Sequence, residues 1–274
     1  MVDTPRWRFA SDFVPPLATD RDVYRRRIAV QSVDRATVVA DLEDDFHHFV
    51  VTLRHDGTKV VGVANQSHRW PWATCPGAAE HLRSLVGMAL SNRFTAAARH
   101  ADPKANCTHQ FDAAAHAITH AAWKRDYRQY DAEIGALLRV GGSRPNRLWV
   151  DGRLALEWEV RPGVGPAALD PPYAGAPWRG GFMRWADSHL DPETAETAIT
   201  LRRACDIGMG RGMALDAVPV AADLPSSMAG VCHSMQPDVA PGAFRNVGSI
   251  RDHAAHPELL GTDPAIPRRA VLAR

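Results

Sequence analysis

The chain has little of what marks nucleic-acid-binding, secreted or membrane proteins. Its 274 residues carry a formal net charge of only +1, whereas neutralising phosphates requires a strong basic excess on one face. The four cysteines are too few and too scattered for a disulfide framework. No run approaches the ~20 apolar residues of a membrane span, and the N-terminal segment lacks the apolar core of a signal peptide. We therefore expect a cytoplasmic bacterial protein with no nucleic-acid or membrane partner.

The sequence also contains few lysine residues, and it lacks the common nucleotide-binding motifs. Of the 32 basic residues only Lys59, Lys104 and Lys124 are lysines, which is typical of a GC-rich genome; the alternative is that the arginines recognise anions. No GxGxxG motif follows a predicted strand, and no P-loop is present. The glycine-rich residues 208–213 end a predicted helix, where they favour a C-terminal cap over a phosphate cradle. The sequence therefore predicts no nucleotide, nicotinamide or flavin cofactor.

What the chain does have is enough apolar sequence for a sizeable core, with 45% hydrophobic residues. Residues 23–67 contain four β-branched, partly alternating segments, which predict an antiparallel meander. The Asp56-Gly57 pair within this region indicates a tight hairpin. Residues 126–160 form a second strand block with a hairpin at Asp151-Gly152, and we expect this block to extend or flank the first sheet.

Helices are predicted between and after the strand blocks. Residues 76–125 read as helices, the last of which has Asn106 as its expected N-cap. Residues 190–207 form the clearest helix, with Asp191 as N-cap and Pro192 at the first position. Residues 208–274 read as mostly irregular. Strands and helices follow one another in blocks rather than alternating, so we predict a single α+β domain over residues 1–274.

One predicted helix combines a cysteine with three histidines, in the segment ANCTHQFDAAAHAITHAAW (residues 105–123). At ~100° per residue, His109, His116 and His120 fall in one sector with Trp123, opposite an apolar sector. The i,i+4 spacing of His116 and His120 lets two imidazoles bind one metal ion. Without an accompanying glutamate this is a weak motif, and a polar helix face that happens to use histidine is the alternative.

Cys107 stands at the expected start of the same helix. A thiol there meets the positive end of the helix dipole and unpaired N–H groups, which favours the thiolate. A thiolate could bind a metal ion or attack a carbonyl carbon. The alternative is that Cys107 is a small buried apolar residue, as most free cysteines are.

Three segments, DFHHFVVTLRHDG, PWATCPGA and NCTHQFDAAAHAITHA, together resemble a bacterial family of domains of unknown function. The marks of this family are a histidine on an N-terminal strand, an aromatic-x-x-Cys-Pro element and a Cys-Thr-His-Leu helix start. The matching positions are His47 or His48, Cys75 with Pro76, and Cys107, Thr108 and His109. Gln110 replaces the usual leucine. The resemblance continues to GVCHSMQP near the C-terminus and implies membership without a reaction.

These positions offer a set of four metal ligands: His48, Cys75, Cys107 and His109. Sulfur and imidazole ligands suit Zn²⁺ or Fe²⁺. With four protein ligands the site would be structural, whereas three would leave a position for a water or a substrate carbonyl. Asp44, Asp45 or Asp112 could orient a ligand histidine or act as a general base. The predicted catalytic groups are His109, Cys107 and Asp112.

The leading functional hypothesis is a metal-dependent catabolic hydrolase or lyase that acts on a small, largely apolar or aromatic substrate. One alternative is a cysteine-nucleophile enzyme that uses Cys107 or Cys75. Another is a small-molecule-binding protein or partner subunit without catalysis, since several tryptophans could enclose an apolar pocket; these are Trp70, Trp72, Trp149, Trp158, Trp178 and Trp185. The sequence is also compatible with a homodimer. The secondary candidates for site residues are His47, His116, His120, Cys232 and His233.

Overall fold

A computed structural model describes residues 23–135, 144–161, 165–166, 169–178 and 180–261. Eight strands form one antiparallel sheet in the order β4-β3-β2-β1-β5-β6-β7-β8. The strands are β1 (Tyr24–Asp34), β2 (Thr37–Asp44), β3 (His48–His55), β4 (Val60–Arg69), β5 (Tyr127–Ile134), β6 (Arg144–Val150), β7 (Arg153–Arg161) and β8 (Gly165–Pro166). The predicted N-terminal meander is present, and the second strand block extends it because β5 pairs with β1. The α+β class is confirmed.

Four α-helices accompany the sheet: α1 (Ala96–His100), α2 (Thr108–Trp123), α3 (Phe182–His189) and α4 (Pro192–Gly208). Helix α2 packs on β1, β2 and β3, and α4 packs on β5, β6 and β7. The first predicted helix is a 3-10 helix, Cys75–Leu85, which packs beside β4. Between residues 209 and 261 the described chain forms short 3-10 turns and loops, in line with the predicted irregular region, whose last residues, 262–274, lie outside the described part.

Both predicted Asp-Gly hairpins are present. The first joins β3 to β4, and its Gly57 has a φ of 92°. In the second, between β6 and β7, Asp151 has a φ of 50° and Gly152 a φ of 79°. Positive φ at both central residues is the requirement of the type I′ turn, which matches the twist of the flanking strands.

Helix α2 lies at the centre of the molecule and is buried on nearly all sides. The predicted imidazole face is therefore inside the protein, as is the apolar face, and Trp123 is the residue that emerges to solvent. The predicted N-cap was wrong by one residue, because Cys107 holds that position. Asn106 instead turns its side-chain amide back to donate to the carbonyl of Asp102 at 2.9 Å.

The two faces of the sheet differ in chemistry. On the face under α2, Ile28 of β1 pairs with Leu42 of β2, and Leu42 pairs with Phe49 of β3. On the opposite face Arg25 forms an ion pair with Glu133 of β5 at 2.9 Å. Side chains alternate along a strand, so each position on these strands belongs to either the helix-covered face or the charged face.

Of the six tryptophans predicted to enclose a pocket, three are buried and three are partly buried; the buried ones are Trp72, Trp149 and Trp158. Trp158 packs edge-on against Tyr173, Trp178 and Phe182, with ring centroids 5.6–5.8 Å apart. Such contacts place the aromatic rings against each other. No helix within the described ranges is long and apolar enough to cross a membrane.

The start of α4 gives a direct test of the helix assignment. Oδ1 of Asp191 accepts the backbone N–H groups of Glu193 and Thr194, both at 3.1 Å. We expect Asp191→Ala to lower the free energy of unfolding by about 1 kcal/mol, as lost N-caps do, and Asp191→Asn to keep most of it because the amide oxygen still accepts. Urea unfolding at neutral pH measures both variants. An equal loss in the two variants would show that charge, not capping, acts here.

Candidate functional site

Three buried side chains from three elements converge at one end of the helix-covered face. Asp44 ends β2, His47 immediately precedes β3, and His109 lies in the first turn of α2. Each offers a ligand atom within 4.8 Å of those of the other two, and they are the one such group of three found among the described residues. The rings of His47 and His109 stack with centroids 3.5 Å apart. We call these residues the Asp44–His47–His109 cluster.

The carboxylate of Asp44 is completely buried and well supplied with donors. Its Oδ1 accepts the backbone N–H groups of Phe46 and His47, both at 2.8 Å, which closes the turn between β2 and β3. Its Oδ2 accepts from the Tyr24 hydroxyl at 2.7 Å and from Nη2 of Arg26 at 2.8 Å. These donors hold the carboxylate in one orientation and favour its charged form.

Burial and charge set the protonation states in the cluster. Burial raises the pKa of the Asp44 carboxyl, but His47 and Arg26 lower it more strongly, so that the pKa lies well below its usual value. Burial lowers the pKa of His109 well below its usual value, and it also lowers that of His47 although Asp44 opposes this. Near neutral pH the cluster is therefore an ionised carboxylate beside two neutral imidazoles, which are the forms that bind metal ions.

His109 has one satisfied and one orphaned ring nitrogen. Its Nδ1 lies 3.3 Å from Oγ1 of Thr108 and 4.0 Å from Sγ of Cys107. Its buried Nε2 forms no hydrogen bond with a described residue, and Oδ2 of Asp44 lies 3.7 Å from it. If Nδ1 carries the proton and donates to Thr108, the lone pair of Nε2 points into the cluster. Phe49 adds an apolar wall, with its ring centroid 6.5 Å from that of His109.

His48, the strand histidine in the predicted ligand set, lies on the charged face of the sheet. Its Nε2 is 2.9 Å from Oδ1 of Asp41, and its Nδ1 is 3.9 Å from Oε1 of Glu43. The ligand atoms of His48, Cys75, Cys107 and His109 therefore form no common cluster in the described part of the chain. Alternation separates neighbouring residues of a strand, and it is His47 that faces α2.

The predicted cysteines are buried thiols rather than thiolates. Burial raises the pKa of Cys107 well above its usual value, with Cys75 and Cys232 adding to the effect. Burial also raises the pKa of Cys75 to about 12. This is opposite to the thiolate expected for Cys107 from the helix dipole, because desolvation outweighs the dipole here. His233, a secondary candidate, lies near the surface with its ring 5.0 Å from that of His81.

His116 and His120 lie further along α2 and have different surroundings. Nδ1 of His116 is 3.3 Å from Oε1 of Glu196. The same Oε1 accepts from the Thr119 hydroxyl, and Oε2 of Glu196 accepts from Nη1 of Arg125. These contacts join α2 to α4 through a buried polar network. Nε2 of His120 is buried without a hydrogen-bond partner. The two histidines share no described partner that would make them a metal site.

Asp112, predicted as a catalytic group, is paired with an arginine. Its Oδ2 accepts from Nε of Arg203 on α4 at 2.9 Å. Arg203 was not predicted, and neither were Tyr24 and Arg26, the side-chain donors to Asp44. The sequence contains a signal for the last two, because Tyr24 and Arg26 are two residues apart on a strand and so share a face. It contains no signal for Arg203, which depends on how α4 packs against α2.

Comparison with known proteins finds a family match over part of the chain and no activity. Residues 20–122 match the DUF2889 family, which is described as a protein of unknown function. This supports the predicted resemblance to a family of unknown function. The matched range includes Asp44, His47 and His109, and it ends before Arg203. No curated protein and no solved structure matches the chain.

His120 gives a pH-dependent prediction that does not involve the cluster. Burial, with the charge of Arg125, lowers its pKa from 6.5 to about 4 in the folded protein. Between pH 6.5 and about pH 4, His120 is therefore protonated in the unfolded chain but not in the folded chain. The free energy of unfolding falls as the pH is lowered across this range. Between pH 7.5 and 4 we expect the free energy of unfolding of the wild type to fall by on the order of 3 kcal/mol more than that of His120→Gln. Denaturant unfolding across this pH range measures the difference, and a constant difference would contradict the assignment.

Proposed function

We propose that this protein is a metal-dependent enzyme of the hydrolase or lyase class, with Zn²⁺ or Fe²⁺ bound by Asp44, His47 and His109. The observation that carries the proposal is the Nε2 atom of His109, which is buried and forms no hydrogen bond within the part of the chain that the structure describes. A buried nitrogen without a partner costs about 1–3 kcal/mol. A cation placed between this atom and the carboxylate of Asp44 would remove that cost.

The spacing of the ligand atoms suits one ion. Nδ1 of His47 lies 2.9 Å from Oδ1 of Asp44, and Nε2 of His109 lies 3.7 Å from Oδ2 of the same carboxylate. Two atoms that each bind zinc at about 2.0–2.1 Å in tetrahedral geometry are about 3.3 Å apart. One distance ends at Oδ1 and the other at Oδ2, and one ligand atom from each of the three residues lies within 4.8 Å of the other two, so side-chain movements would bring them to one ion.

The proposed ligand set replaces the sulfur-rich set predicted from the sequence. Two imidazoles and a carboxylate are typical of catalytic zinc and of non-haem iron, and three protein ligands leave a coordination position open. The buried, protonated thiols of Cys75 and Cys107 are not required as ligands. Thr108 would act through His109, because its hydroxyl beside Nδ1 fixes the ring and its tautomer.

The bound ion would polarise a substrate carbonyl or lower the pKa of a bound water, as such ions do in hydrolases and lyases. The chain itself supplies the surroundings of the reaction. Arg26 and Tyr24 hold the carboxylate of Asp44 in place, and Phe46 and Phe49 lie beside the imidazoles. These rings favour a small, largely apolar or aromatic substrate.

We further propose that the strand histidine characteristic of the family is His47 rather than His48, alongside Cys75-Pro76 and Cys107-Thr108-His109. The composition continues to favour a bacterial, cytoplasmic protein. All four cysteines are free, as expected in a reducing compartment. A single α+β domain remains our expectation for the organisation of the chain, whose sequence is also compatible with a homodimer.

The metal content of purified variants tests the ligand set. We expect about one zinc or iron ion per chain after growth in supplemented medium. His47→Gln and His109→Gln should weaken binding by more than the ~10–100-fold that loss of an outer partner costs. His48→Gln is the matched control, because it removes a neighbouring histidine that faces the other side of the sheet. Elemental analysis and a chelator competition measure stoichiometry and affinity.

Cobalt substitution tests whether the cysteine sulfurs bind the metal ion. We expect Co²⁺-loaded protein to lack the intense thiolate-to-metal charge-transfer absorption, and Cys75→Ser and Cys107→Ser to bind the ion normally. If protein purified after growth in metal-supplemented medium contains no bound metal, the proposal is refuted. So would metal binding that depends on His48 or on the thiols but not on His47.

A further inference from the structure

Arg203 lies beside the Asp44–His47–His109 cluster without being part of it. Its Nε donates to Oδ2 of Asp112 at 2.9 Å. Asp112 is three residues after His109 on α2, so the two side chains are neighbours on one face of the helix. The contact with Asp112 therefore holds the guanidinium group on the side of α2 that carries His109.

Most donors of this guanidinium are unused. The contact with Asp112 takes one of its five N–H groups. Nη1 and Nη2 donate to no described residue, and 19% of the side chain is exposed. The nearby Arg26, in contrast, gives both Nε and Nη2 to Asp44 and is completely buried. Arg203 is thus held in a fixed orientation by Asp112 with a free pair of donors.

The charges around the site favour an anion. Asp44 and Asp112 together balance Arg26 and Arg203, so a bound divalent cation would leave a formal charge of +2 in a largely buried region. Buried charge is costly unless it is paired. A carboxylate offers two oxygens that match a guanidinium fork, and it would lower this excess.

We propose that Arg203 binds the carboxylate group of the substrate, which makes the substrate a small carboxylic acid with an apolar or aromatic body. The proposal rests on the proposed function for the position of the reacting group, which must lie at the metal ion while the carboxylate lies at Arg203. The aromatic rings of Phe46 and Phe49 beside the imidazoles would contact the apolar body.

Benzoate and benzamide are suitable probes, because they have nearly the same shape and differ in charge. Binding is followed by NMR of the imidazole protons in zinc-loaded and in chelator-treated protein. The variants are Arg203→Lys, which keeps the charge but loses the fork, and Arg203→Ala combined with Asp112→Asn, which leaves no unpaired buried carboxylate. Arg83→Ala is the control, since it removes one positive charge from a side chain that is 74% exposed.

We expect the wild type to bind benzoate at least 10-fold more tightly than benzamide. The double variant should lose about 10-fold or more in benzoate affinity, as expected for charge-assisted hydrogen bonds, while its affinity for benzamide stays the same. Arg203→Lys should be intermediate, Arg83→Ala should match the wild type, and zinc stoichiometry should not change. Equal affinity for the two probes, or benzoate binding that is independent of Arg203, overturns the proposal, as does failure to bind benzoate in either form of the protein.

The two proposals fail in different ways. If the protein binds no metal but the chelator-treated form still prefers benzoate through Arg203, the metal proposal falls and the role of Arg203 is supported. If zinc binds through His47 and His109 but benzoate affinity does not depend on Arg203, the metal proposal is supported and the proposed role of Arg203 is refuted.

Discussion

The buried carboxylate of Asp44 connects three parts of the molecule that are distant in sequence. Taking a carboxylate out of water costs several kcal/mol, and the cost is offset only where its oxygens are supplied with donors. Those donors are backbone groups of the turn between β2 and β3 and the side chains of Tyr24 and Arg26 on β1. Because Arg26 lies directly opposite Asp44 in the ladder, the ion pair reinforces the same register of β1 and β2 that the apolar pairs require. The position of His47 follows from that turn.

The register of these strands also decides which chemistry reaches which side of the sheet. One face is covered by α2 and is mainly apolar, whereas the other holds the buried charged residues Arg25, Glu43 and Glu133. His47 and His48 are adjacent in sequence and end on different faces, the first against His109 and the second against Asp41. A shift of one residue would exchange them and leave Asp44 without Arg26. The ion pair of Asp44 therefore controls the composition of the candidate site as well as the stability of the sheet.

Local chemistry explains which features the sequence could predict. Asp-Gly at two hairpins and Asp191 before a proline each determine a backbone conformation within a few residues, and the structure contains all three. The alternation of β1 to β4 predicted the meander for the same reason. The choice between His47 and His48 was open, since periodicity separates two faces without saying which one meets a helix. Cys107 shows the other limit. Its helix-start position argued for a thiolate, but the depth of its burial, which depends on distant residues, raises its pKa.

A purely structural account explains part of the cluster. The pairing of Asp44 with Arg26 satisfies two buried charges and would stand without any histidine. It does not explain His109, whose Nε2 lacks a hydrogen bond at a cost of about 1–3 kcal/mol. An apolar side chain of similar size would pack against Phe49 and remove that cost. Positions where a sequence departs from the locally stable choice are expected at functional sites. Among the described residues this nitrogen has no hydrogen-bond partner, and the proposed divalent cation is a partner that both it and the ionised carboxylate would bind.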